Sequence, residues 1–120
     1  MKKGKYEMTL TRTLQNGTQE TYHCLGYGPG KSYNYYRFQS EIDNNGLWAI
    51  WVYFEKGKNG NKTYESKTYS HVESYFGASA LYSTGYSNID SYDLSKEKLT
   101  IHYTSPKDTS TGIIELKWIK

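Results

Sequence analysis

One cysteine and two prolines in 120 residues rule out a disulfide framework and a proline-rich spacer. Cys24 has no partner for an internal bridge, which suits a reducing compartment and equally an envelope domain that needs no bridges. No run of about 18 apolar residues occurs, so no membrane span is expected. Charge of one sign is scarce as well. Fifteen Lys and Arg against twelve Asp and Glu leave +3 and a pI near 8.8, short of the basic stripe of a nucleic-acid binder. The chain also lacks a Gly-x-Ser-x-Gly elbow, a phosphate loop and a dinucleotide glycine fingerprint.

What the chain has instead is rings. Fourteen tyrosines, three tryptophans and three phenylalanines make it 17% aromatic, although its mean hydropathy is -0.85. Aromatic residues fit pleated, half-buried surfaces, and tyrosine joins an apolar ring to a polar tip. That pairing predicts a sheet protein with wetted faces. At this length one domain is expected, over residues 1–120.

Period-two patterning locates the strands. Tyr6, Met8, Leu10 and Leu14 alternate with Glu7, Thr9, Thr11 and Thr13, and Gln15-Asn16-Gly17-Thr18 follows as a hairpin turn. The return strand, about Glu20 to Tyr27, puts Tyr22 and Cys24 on one face and His23, Leu25 and Tyr27 on the other. Gly26-Tyr27-Gly28-Pro29-Gly30 is expected to end it. Tyr33 to Ile42 and Leu47 to Lys56 flank the turn Asp43-Asn44-Asn45-Gly46. In the second of these, Trp48, Ile50, Val52 and Phe54 line one face, expected to be core, and Leu47, Ala49, Trp51 and Tyr53 the other. Lys62 to His71 reads as a polar strand, and Val72 to Ile89 as one or two short irregular strands. Leu99, Ile101 and Tyr103, then Ile114, Leu116 and Trp118, alternate cleanly again. No segment carries helical periodicity, so the fold class is all-β: an antiparallel up-and-down barrel of about eight strands, with a sandwich or jelly roll as the alternative.

Gly4-Lys5-Tyr6 at the start resembles the Gly-x-aromatic opening of lipocalin-like (calycin) barrels. The ending, Leu99 to Tyr103 and Ile114 to Trp118, is similar to the closing hairpin of small lipocalin-like envelope proteins of Bacteroides-type bacteria. The resemblance implies an eight-stranded barrel whose floor is plugged by the Tyr6 ring, often lipid-anchored through an upstream cysteine. It names no ligand. With that comes the expectation of an exported, envelope-associated or secreted domain whose leader has been replaced by Met1.

Catalysis finds little footing. Cys24 and His23 are strand neighbours and point to opposite faces, so they cannot form a nucleophile–base pair. His71 and Glu73 share a strand face, but a third metal ligand must come from His102 or His23. No catalytic residue, metal site or cofactor is expected. Binding has more to draw on. The leading expectation is a non-enzymatic domain holding a small apolar or amphipathic ligand inside the barrel, with Trp51 and Tyr53 lining the pocket. The alternative is a glycan-binding module whose open platforms are Trp51, Tyr53, Tyr33, Tyr35 and Tyr36, and a protein-interaction module stands behind both. A nucleic-acid surface built on Lys56, Lys58, Lys62 and Lys67 ranks below these.

Overall fold

The computed structural model describes residues 2–32, 35–41, 47–55, 71–76 and 82–120. Every regular element among them is a strand: β1 (Gly4–Thr13), β2 (Gln19–Ser32), β3 (Tyr35–Ser40), β4 (Leu47–Glu55), β5 (His71–Phe76), β6 (Tyr82–Leu94), β7 (Lys98–Thr104) and β8 (Thr111–Trp118). Each pairs antiparallel with the next, and β8 closes on β1, giving an up-and-down barrel. Among the described residues no helix is long and apolar enough to cross a membrane.

The alternation read from sequence decides which side chains enter the barrel. Tyr6, Met8 and Leu10 of β1 are at most 1% exposed, as are Ile50 and Val52 of β4, Leu99 and Ile101 of β7, and Ile114 and Leu116 of β8. The β1–β2 turn is closed by Leu14 N–H donating to Thr18 (2.8 Å) and Thr18 N–H to the Asn16 side chain (3.0 Å). Gly17 supplies its φ of 87°. Leu14 lies beyond the end of β1 and is only half-buried, so the inward row runs Tyr6, Met8, Leu10, Arg12.

Two expectations need correction. The glycine–proline cluster does not end β2. The strand continues to Ser32, with a register shift between Tyr27 and Gly30 where Pro29 needs no ladder partner. A side chain at Gly28 would come within 2.8 Å of the Arg37 carbonyl and of Phe38, so glycine is what lets β3 lie this close. The segment after Val72 holds two strands with register shifts, as read from sequence, but the second is longer than expected, because β6 runs thirteen residues and pairs first with β5 and then with β7. Residues 56–70 and 77–81, and with them most of the expected polar strand and the four lysines, lie outside the described residues. So do the side chains of Trp48 and Phe54.

The barrel has two unlike ends. At the lower end Tyr6 meets Phe38 edge-on at 5.7 Å, and its hydroxyl donates to the Lys2 carbonyl. Lys2 reaches across Trp118, 4.3 Å above the ring, to pair with Glu97 at 2.7 Å. Trp118, expected in the core, is half-buried and packs against it from beneath this strap. The upper end, where β1 leaves and β8 enters, is lined by polar groups.

Candidate ligand site at the upper end of the barrel

Arg12 continues the inward row of β1, so pleating carries its charge into the barrel. Its guanidinium donates to Asp108 at 2.6 Å and to Glu20 at 3.0 Å, and its centre lies 4.7 Å from the Phe76 ring. Asp108 is itself held in place. Its second oxygen accepts from the Ser110 N–H (2.9 Å) and hydroxyl (2.5 Å). Glu20 accepts from Tyr22 at 2.8 Å, and Tyr22 packs on Phe76 at 5.3 Å. A buried cation is tolerable only when paired and hydrogen-bonded, and both conditions are met here.

Beside this network the interior carries hydroxyls. Tyr103 (2% exposed), Ser74 and Ser87 (both 0%) face inward from β7, β5 and β6. Tyr103 lies flat across Gly112, where an added Cβ would sit 2.2 Å from the ring, and Gly112 is the β8 partner of Arg12. The Tyr103 hydroxyl has the Ser74 hydroxyl against it without a hydrogen bond of good geometry, and Ser87 Oγ has no partner. A buried polar atom left unpaired costs about 1–3 kcal/mol, so these two atoms require an explanation. Burial pushes the Tyr103 phenol up to about 12, against the opposing pull of Ser74 and Arg12. Tyr22 is also held at about 12, first by burial and then by its bond to Glu20. Both phenols are therefore neutral donors at physiological pH.

Above the network, at the rim, Leu14, Gln15, Asn16 and Asp108 enclose a concavity of about 400 Å³. Asp108 belongs to both the concavity and the Arg12 network. Phe76, Ile89 and Ile101 belong to the packed apolar core of the barrel. Chemically, the upper end offers neutral hydroxyl donors and acceptors over an apolar interior, with Arg12 already neutralised by its two carboxylates.

The residues singled out from sequence lie elsewhere. Trp51 and Tyr53 alternate with the buried Ile50 and Val52, so they stand half-buried on the outer wall and do not line an interior pocket. Pleating permits one face or the other, and the aliphatic pair took the inside. Tyr33 lies outside the described residues, as do the side chains of Tyr35 and Tyr36, which open β3. Cys24 packs against the core while His23 is exposed, 3.3 Å from Thr9. Glu73 is half-buried on the outer wall and His102 is exposed, and no trio of metal-binding side chains occurs among the described residues.

Sequence reasoning passed over Arg12, Tyr103, Ser87 and Asp108. One signal was available: Arg12 sits two residues after Leu10 on an otherwise apolar face. No family model, curated protein or solved structure matches this chain.

Proposed function

We propose that this chain is a non-enzymatic binding domain, lipocalin-like and exported, that takes a small amphipathic ligand through the upper end of its barrel. One observation carries the reading: the Ser87 hydroxyl is shut away from water without a partner, and the Tyr103 hydroxyl beside it has only the Ser74 side chain against it. A neutral head group bearing a hydroxyl or carbonyl would satisfy both, since a hydroxyl donates and accepts. The apolar part of the ligand would lie against Phe76 and Ile89, inside a rim of the size that small-molecule sites use, about 300–1,000 Å³. Arg12 is already paired with two carboxylates, so the cluster carries a net negative charge and disfavours an anionic head. The eight-strand order and the Tyr6 ring at the floor support the lipocalin-like relationship.

The test is a titration with the neutral apolar dye N-phenyl-1-naphthylamine, followed by displacement with 1-decanol. Dye emission should rise at one site per chain, depend weakly on salt, and fall as the alcohol enters. Tyr103→Phe and Ser87→Ala should each weaken the alcohol by about tenfold, the value of one buried hydrogen bond. Absence of dye and alcohol binding, or alcohol affinity in both variants unchanged from that of the parent chain, would sink the proposal.

A further inference from the structure

The outer wall of the barrel carries a second arrangement that the interior site does not use. Register places Tyr27 of β2, Gln39 of β3, Trp51 of β4 and Glu73 of β5 side by side in one row across the strands. Arg37 and Tyr53 are partners in the next row. At a strand spacing of about 4.8 Å, Tyr27 and Trp51 stand roughly 10 Å apart. Trp51 meets Tyr75 edge-on at 5.2 Å, so each ring steadies the other. Tyr27 is 49% exposed, and its hydroxyl is tied to Glu41 at 2.5 Å.

The wall is also not flat. On one side of Tyr27, Glu7, Thr9, His23, Leu25 and Glu41 border a concavity of about 660 Å³. On the other, Tyr27, Lys3, Arg37 and Gln39 border one of about 270 Å³. Two hollows flank an exposed ring, and a row of ring, amide, ring and carboxylate leads away from it across the strands.

We infer that this face binds a neutral oligosaccharide. A pyranose presents an apolar C–H face and a rim of hydroxyls. Exposed rings receive the face, while planar amide, carboxylate and guanidinium groups receive paired hydroxyls. The side chains here alternate in that manner across successive strands. An interface for a folded protein would instead place a contiguous apolar core at its centre, and this row interrupts its rings with Gln39 and Glu73. Charges along this face are mixed, with Glu7, Glu41 and Glu73 set against Lys3, Lys5 and Arg37. Mixed charge favours an uncharged polymer over a polyanion or a polycation.

Calorimetry with cellohexaose, xylohexaose, mannohexaose and chitohexaose tests this on the whole chain. At least one should bind with little dependence on salt. Tyr27→Ala and Trp51→Ala should each weaken it by roughly tenfold or more, as loss of an aromatic anchor does. Trp51→Phe should retain most of the affinity, which separates loss of a platform from loss of fold. Tyr103→Phe should bind the same sugar unchanged, so failure here and failure of the interior site are distinguishable. No binding by any of the four at millimolar concentration would overturn the inference. So would affinity indifferent to both alanine variants, or tighter, salt-sensitive binding of polygalacturonate.

Discussion

Replacing Arg12 with methionine keeps the reach of the side chain and removes its charge. The guanidinium lies between carboxylates at 2.6 and 3.0 Å with 9% of its side chain exposed. At an effective dielectric near 20, two unit charges about 4 Å apart attract by ~4 kcal/mol. Withdrawing the cation from water costs several kcal/mol in return, so the two attractions are largely offset. The loss is therefore set by what the variant leaves behind. Breaking a fully buried pair costs about 3–5 kcal/mol, because the partner stays charged and unsolvated. Here Asp108 and Glu20 keep 24% and 36% of their side-chain exposure, and water can reach them once Arg12 is gone. The expected loss falls to about 2–3 kcal/mol. With an unfolding entropy of ~2 cal/mol/K per residue, that lowers Tm by about 10 °C in a chain of 120 residues. Guanidinium unfolding followed by tryptophan emission measures it. A double-mutant cycle with Asp108→Asn should assign at least ~1 kcal/mol to that pair. A loss within ~0.5 kcal/mol of zero, the range of ordinary surface changes, would refute the reasoning.

Three further outcomes follow from the same geometry. Ile50→Ala should cost about 2–5 kcal/mol by leaving a cavity, whereas Trp51→Ala, one residue on, should cost only ~1 kcal/mol as the loss of a cross-strand partner; the reverse order would mean that β4 is turned over. Gly112→Ala drives a Cβ to 2.2 Å from the Tyr103 ring, so denaturation should show a loss of about 1–3 kcal/mol from overpacking, partly recovered when Tyr103→Leu is added. Burial raises the phenols of Tyr6, Tyr22 and Tyr103 to about 12 from their ordinary value of 10.0. An unfolded chain then loses these protons first, so the stability they contribute is intact below pH 10 and is lost as pH rises toward 12. Their tyrosinate absorbance should appear together with loss of the far-UV strand signal; full titration of every tyrosine before that loss would contradict the burial.

How much of this was legible depended on whether a feature was local. The inward rows of β1, β7 and β8 could be read because pleating gives each residue a face from its neighbours alone. The same rule placed Ile50 and Val52 together against Trp51 and Tyr53. It assigned Ile50 and Val52 to the core, where they lie, but because both faces of β4 are apolar it also gave Trp51 and Tyr53 a pocket that the closed sheet leaves on the outside. The continuation of β2 past Gly28-Pro29 was hidden because the bulge depends on Arg37 and Phe38 of the next strand. The upper-end site was hidden for the same reason. Arg12 and Asp108 are 96 residues apart, and nothing near either one announces the other. Tyr103 read as another apolar position in its strand. That its hydroxyl ends up without a partner is a property of the closed barrel.

The most direct measurement is a high-resolution crystal structure of the protein grown with 1-decanol. The alcohol oxygen should lie within hydrogen-bond distance of the Tyr103 hydroxyl or of Ser87 Oγ, with the chain against Phe76 and Ile89. Ordered waters on both hydroxyls and no alcohol inside the barrel would contradict the account.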